Sequence, residues 1–146
     1  MIQSEVPPVY IHLPVGSCPP VIERGPNRTV VIVEQEVPPE WQAQVSGWIV
    51  DAGCLFMMAW GKNCSSWDDS VDHANLEDFN YDEIPDDRFV MTSWHDNEPI
   101  EDVFWFCRYT AFHPEIDLMS AYIVHIADAP REMELLQAYW TELPEE

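Results

Sequence analysis

Cys54 to Asp69, CLFMMAWGKNCSSWDD, carries the turn on which the fold depends. From Cys54 to Trp60 the residues are apolar without alternation, which suits a strand covered on both faces and is too short for an independent helix. Gly61 breaks the run. Ser65 or Ser66 is then placed to cap a helix, with Asp68 and Asp69 supporting its first turn, and the helix is expected to run toward Phe79. A strand-to-helix turn of this kind lies at the carboxyl edge of an open α/β sheet, where such folds place their sites. Lys62, Asn63, Cys64 and Ser65 are therefore the first candidate site residues.

Working outward, Thr29–Val33 (TVVIV) is β-branched at every position and reads as the first strand. Pro38 and Pro39 open a helix whose apolar positions Trp41, Val45, Trp48, Ile49 and Ala52 share one face, and Gly53 ends it. Beyond the central turn, Arg88–Trp94 is a third strand, and Asp96 or Asn97 is placed to cap a helix running to about Phe112. In that helix Ile100, Val103, Phe104, Cys107 and Ala111 form a core face, and Trp105, Phe106, Tyr109 and Phe112 a second apolar face. Ser120–Ala127 reads as a fourth strand. Pro130 to about Leu143 reads as a last helix with Met133, Leu136, Trp140 and Leu143 inward.

Alternating strands and helices predict a three-layer α/β sandwich with a mainly parallel four-stranded sheet, flavodoxin-like or Rossmann-like, with helices on both faces. The preferred strand order is 2-1-3-4, which would bring Glu34, Glu36, His95 and Asp96 to the same rim as the central turn. Residues 1–28 contain six prolines and read as a proline-rich arm, within which Val9–Leu13 alternates and suits an edge strand. Residues 29–146 read as one α/β domain.

Composition narrows the function. Six basic against 27 acidic residues give a net charge of −21, and Cys64–Asp102 holds 13 acids with only Arg88 to offset them. A field of this sign repels phosphate backbones and anionic membranes, so the expected partner is a basic protein, with no direct nucleic acid and no membrane. Seven Trp, six Phe and five Tyr are too many for a solvated tail. Cys18, Cys54, Cys64 and Cys107 show no CxxC or zinc spacing, and MIQSEVPP lacks the features of a signal peptide, so a reducing, cytoplasmic setting is expected.

A nucleotide site is disfavoured, and no cofactor is expected. The first strand-to-helix turn, Glu34-Gln35-Glu36-Val37-Pro38-Pro39, has no glycine, two carboxylates and two residues without an N–H. Gly61-Lys62 is only a fragment of a P-loop. For catalysis the candidates are Cys64 as nucleophile at a helix start, His95 as base and Asp96 as orienter, against the plainer reading of Cys64 as a small residue packed by the helix cap. Asp69 and His73, one helical turn apart, are the candidate metal ligands, against the plainer reading of a solvated pair. His125, in a strand beside Ile123, reads as a satisfied core histidine.

Aromatics interleaved with acids are the pattern that core packing explains least. Trp67, Asp68, Asp69, Tyr81, Trp105 and Tyr109 are the expected interface, because Trp and Tyr anchor interfaces while carboxylates steer a basic partner. The second face of the third helix offers homodimerisation. The expected function is thus a non-catalytic protein-binding domain of inhibitor, immunity or adaptor type. The alternative is a small hydrolase or divalent-metal enzyme at the carboxyl edge. AWGKNCSSWDDSVDHANLEDF (59–79), IPDDRFVMTSWHDNEP (84–99) and VFWFC (103–107) resemble a small acidic bacterial family of unknown function, over roughly Thr29 to Leu143. That resemblance implies a bacterial cytoplasmic origin and no transferable activity.

Overall fold

A computed structural model describes residues 6–142. The elements are β1 (Val9–His12), β2 (Asn27–Val33), α1 (Pro39–Asp51), β3 (Cys54–Gly61), α2 (Cys64–Asp78), β4 (Met91–His95), α3 (Ile100–Tyr109), β5 (Ser120–Ile126) and α4 (Glu132–Tyr139). The strands form one parallel sheet in the order β1-β5-β2-β3-β4. This is a three-layer, Rossmann-like α/β sandwich, with a fifth strand contributed by the proline-rich arm. Among the described residues no helix is long and apolar enough to cross a membrane.

Strand alternation sorts the core into two layers. Val31, Val33, Met57 and Ala59 face α1 and α2, meeting Trp41, Val45, Ile49, Trp67 and Val71. Val30, Ile32, Met58 and Ile123 face α3 and α4, meeting Val103, Phe104, Cys107, Leu135 and Tyr139. Every residue of β2 is buried, as expected of a central parallel strand. The proline-rich segment after β1 adds Leu13 and Val15 to the α1–α2 side. Its carbonyls lack helical partners, and two indoles of α1 satisfy them: Trp41 donates to the Ser17 carbonyl and Trp48 to that of Pro20. At the other end Arg108, buried beside Tyr139, donates to the Tyr139 and Thr141 carbonyls and so closes the C-terminus of α4.

The strand order corrects the expected 2-1-3-4. β2 lies between β3 and β5, not between β3 and β4. The reason is the pairing of α1 with α2, which share one face. Ser46 and Ser70 hydroxyls bond at 2.7 Å and Gln42 donates to Ser66 at 3.0 Å, so the helices approach through small polar residues. Two successive right-handed crossovers on one face move the chain outward through β3 to β4, and α3 returns it on the other face to β5. The switch point therefore lies between β2 and β5.

Several boundaries also shift. Neither Ser65 nor Ser66 caps α2; the helix begins at Cys64 behind Asn63, which is left-handed at φ 51°, and the Ser66 hydroxyl donates to the Asn63 carbonyl. α3 begins after Pro99 with no side-chain cap, because Asn97 sits in a left-handed turn. Asp86–Arg88 forms a single 3-10 turn, so β4 starts three residues later than expected. In α4 the buried positions are Leu135 and Tyr139, whereas Met133 and Trp140 are exposed, since the helix starts at Glu132 and its core stripe is offset. Leu143, the last expected inward residue, lies outside the described residues.

Candidate functional site

The expected catalytic trio is not assembled. Cys64 is the first residue of α2 and is buried on the α1–α2 side of the sheet. Burial pushes its thiol pKa up, and the nearby Asp96 carboxylate adds to that, outweighing a hydrogen bond from the His95 backbone. The His95 imidazole turns the other way. It packs edge-on against Phe106 of α3 with ring centres 4.9 Å apart, and its nitrogens meet Glu98 at 3.0 Å and Ser93 at 2.9 Å. A strand alternates its side chains, so His95 faces α3 while Cys64 lies across the sheet. Asp96 is exposed beyond the end of β4.

Asp69 and His73 do not pair either. The exposed His73 ring meets Glu77, one turn further along α2, at 3.0 Å and the Tyr81 hydroxyl at 3.2 Å. Among the described residues no three His, Cys, Asp or Glu side chains are gathered as a metal centre would need.

The expected interface divides into three parts. Trp67 is fully buried between α2 and the sheet and is core, because its position on α2 falls in line with Cys64 and Val71. Tyr81 is exposed beside the C-terminus of α2, with Asp69 exposed and Asp68 half-buried on the helix itself. Trp105 and Tyr109 are exposed on α3, with ring centres 5.2 Å apart and planes tilted by 48°, on the opposite side of the sheet.

The sequence reading missed two features. One is a polar network at the switch point. His125, fully buried in β5, bonds the Tyr10 hydroxyl of β1 through Nδ1 at 2.7 Å and the Glu34 carboxylate at the end of β2 through Nε2. Arg131, just before α4, donates from its guanidinium to Glu34 at 2.8 Å and from its backbone N–H to the Tyr10 oxygen at 3.0 Å. Every partner is satisfied when the imidazole is neutral with its proton on Nε2: Tyr10 donates to Nδ1 and Nε2–H donates to Glu34. Burial lowers the His125 pKa against the pull of Glu34. Burial acts to raise that of Glu34, but the bonds from His125 and Arg131 outweigh it and hold the carboxyl below its usual range. The arrangement has the order of a hydroxyl, a base and an orienting acid. With its ring fully enclosed, His125 works as a tie between β1, β2, β5 and the start of α4.

The second missed feature is the exposed side of the outermost strand. Trp94 stands in solvent there at 51% exposure, and Phe89 before the strand and Tyr81 after α2 are also exposed, at 46% and 60%. Thr92, on the same strand face as Trp94, donates to Asp72 of α2 at 3.4 Å. Burial raises the Asp72 pKa and the adjacent Asp68 and Asp69 raise it further. The signal was present in Trp94-His95-Asp96, but the expected strand order hid that this strand is an edge.

Residues 9–142 match a family described as a domain of unknown function (DUF7684). The chain belongs to that family. The match opens on the first residue of β1 and closes on Glu142, whose carboxylate meets Arg108, so the arm strand and the tail of α4 are both parts of the DUF7684 domain. No curated protein and no solved structure matches the chain.

Proposed function

We propose that this DUF7684 domain is a non-catalytic module that docks a basic protein, in the manner of an inhibitor, immunity or adaptor protein. The observation that carries the reading is the run of exposed groups from α2 through the 80–90 connection to the end of β4. Along it Tyr81, Phe89 and Trp94 are exposed, and so are Asp69, Asp82, Glu83, Asp86, Asp87 and Asp96. Arg88 is the only basic residue between Cys64 and Asp102, so the field over this surface is of one sign. Aromatic anchors supply contact area, and the carboxylates speed encounter with a cationic partner while repelling anionic ones, nucleic acids and acidic membranes among them. The bacterial, cytoplasmic setting belongs to this same reading.

The enzyme alternative has less support. The Cys64 side chain packs on the α1–α2 side and the His95 ring on α3, so this geometry lends no support to that pair as nucleophile and base.

The test is selection of peptides from an unbiased displayed library on the immobilised domain. Lysine- and arginine-rich sequences should emerge, bind more weakly as salt rises, and lose about tenfold in affinity when Asp68 and Asp69 are reversed to Lys. Cys64→Ser should leave that binding unchanged. Enrichment of neutral or acidic peptides, or binding indifferent to salt, would overturn the reading.

A further inference from the structure

β4 is the end strand of the sheet, paired on one side with β3 from Met91–Phe56 to His95–Trp60. Among the described residues no element pairs with its other side. A strand in that position presents alternate N–H and C=O groups to solvent, and proteins ordinarily blunt such edges with lysine, proline or a bulge. The β4 sequence, MTSWH, has neither lysine nor proline. At the opposite edge, β1 is tied to its neighbours through side chains, Tyr10 to His125 and His12 to the Ala127 carbonyl. The β4 edge instead runs between Asp72 and the exposed Trp94 on the α2 side and the His95–Glu98 pair on the α3 side.

We infer that the basic partner enters as an extended segment that adds a strand to the open edge of β4. This rests on the reading of the acidic face as a docking surface for a basic protein and names the mode of capture. Main-chain hydrogen bonds to β4 supply affinity without regard to sequence. Alternate side chains of the incoming strand fall on the α2 side, where lysine or arginine reaches Asp72 and Asp68 and an aliphatic chain lies on Trp94. Five residues of β4 offer room for a segment of about five residues. A second copy of the chain is the wrong occupant, since edge-to-edge pairing would bring two molecules of net charge −21 together along their most acidic surfaces.

The probe is a synthetic peptide alternating lysine and valine, compared with the same sequence N-methylated at every backbone amide, which keeps the charge and removes the donors. Binding is followed by calorimetry and by hydrogen exchange of the β4 amides. The expected result is that the unmodified peptide binds, slows exchange within residues 91–95, and exceeds its methylated form by at least about tenfold. Equal binding of the two peptides with unchanged β4 exchange would overturn strand addition while leaving charge-guided docking in place. Failure of both peptides to bind at low salt would overturn the docking reading itself. Protection of β4 in the protein alone, growing with its concentration, would assign the edge to a second copy and would also overturn the inference.

Discussion

His125 holds a neutral imidazole between a phenol and a carboxylate, and the direction of its pKa shift has a consequence for stability. Burial lowers its pKa from the usual 6.5, with Tyr10 and His12 of β1, Glu34 at the end of β2 and Arg131 before α4 as the titratable or charged groups around it. Below about pH 6.5 the unfolded chain takes up a proton that the folded ring resists, so stability falls on acidification. Glu34, held below its usual 4.5, acts in the same direction at lower pH. The urea midpoint should therefore drop between about pH 7.5 and 5.5, and His125→Gln should flatten that drop while costing about 1–3 kcal/mol at neutral pH. A wild-type midpoint that does not move, or a variant with the same slope, would remove His125 from the linkage. The histidine was readable in the sequence as a satisfied core residue, but its partners lie 91 and 115 residues away and only the strand order brings them together.

Helix and strand boundaries depend on backbone conformations that single residues permit. Gly61 ends β3 at φ +106°, and a Cβ at that position would overlap the Val33 carbonyl, which accepts the Lys62 N–H. Gly61→Ala should cost at least about 2 kcal/mol, since both the left-handed conformation and the rigid neighbour oppose it. Gly47, in α1, has open space where its Cβ would project, and Gly47→Ala should stabilise by about 0.5–1 kcal/mol through helix propensity. Opposite signs in urea unfolding are expected, and two neutral substitutions would undo the argument. The break after Trp60 was legible in the sequence because a glycine ending an apolar run is a local signal. The start of α2 was not. Ser65 and Ser66 each fit a helix entry on paper. The tight return of the chain from β3, with Asn63 left-handed, starts the helix before either of them.

At the scale of the molecule the excess of carboxylates works against compactness. With a net charge of −21 and several of its ion pairs at exposed positions, self-repulsion outweighs surface pairing, so raising sodium chloride from about 10 to 200 mM should raise the melting temperature by a few degrees. A falling melting temperature would mean instead that surface pairs carry net stability. The sequence by itself determined the fold class, since uninterrupted apolar strands and helical periodicity are local patterns, and it determined the net charge of −21. The tertiary structure alone decided which strand is central and which is an edge, because that follows from α1 packing on α2 through Ser46 and Ser70. From the same packing come the separation of Cys64 from His95, the burial of Trp67 and the exposure of Trp94. Each depends on which side of the sheet a residue meets, a long-range property that residue types and their spacing do not encode.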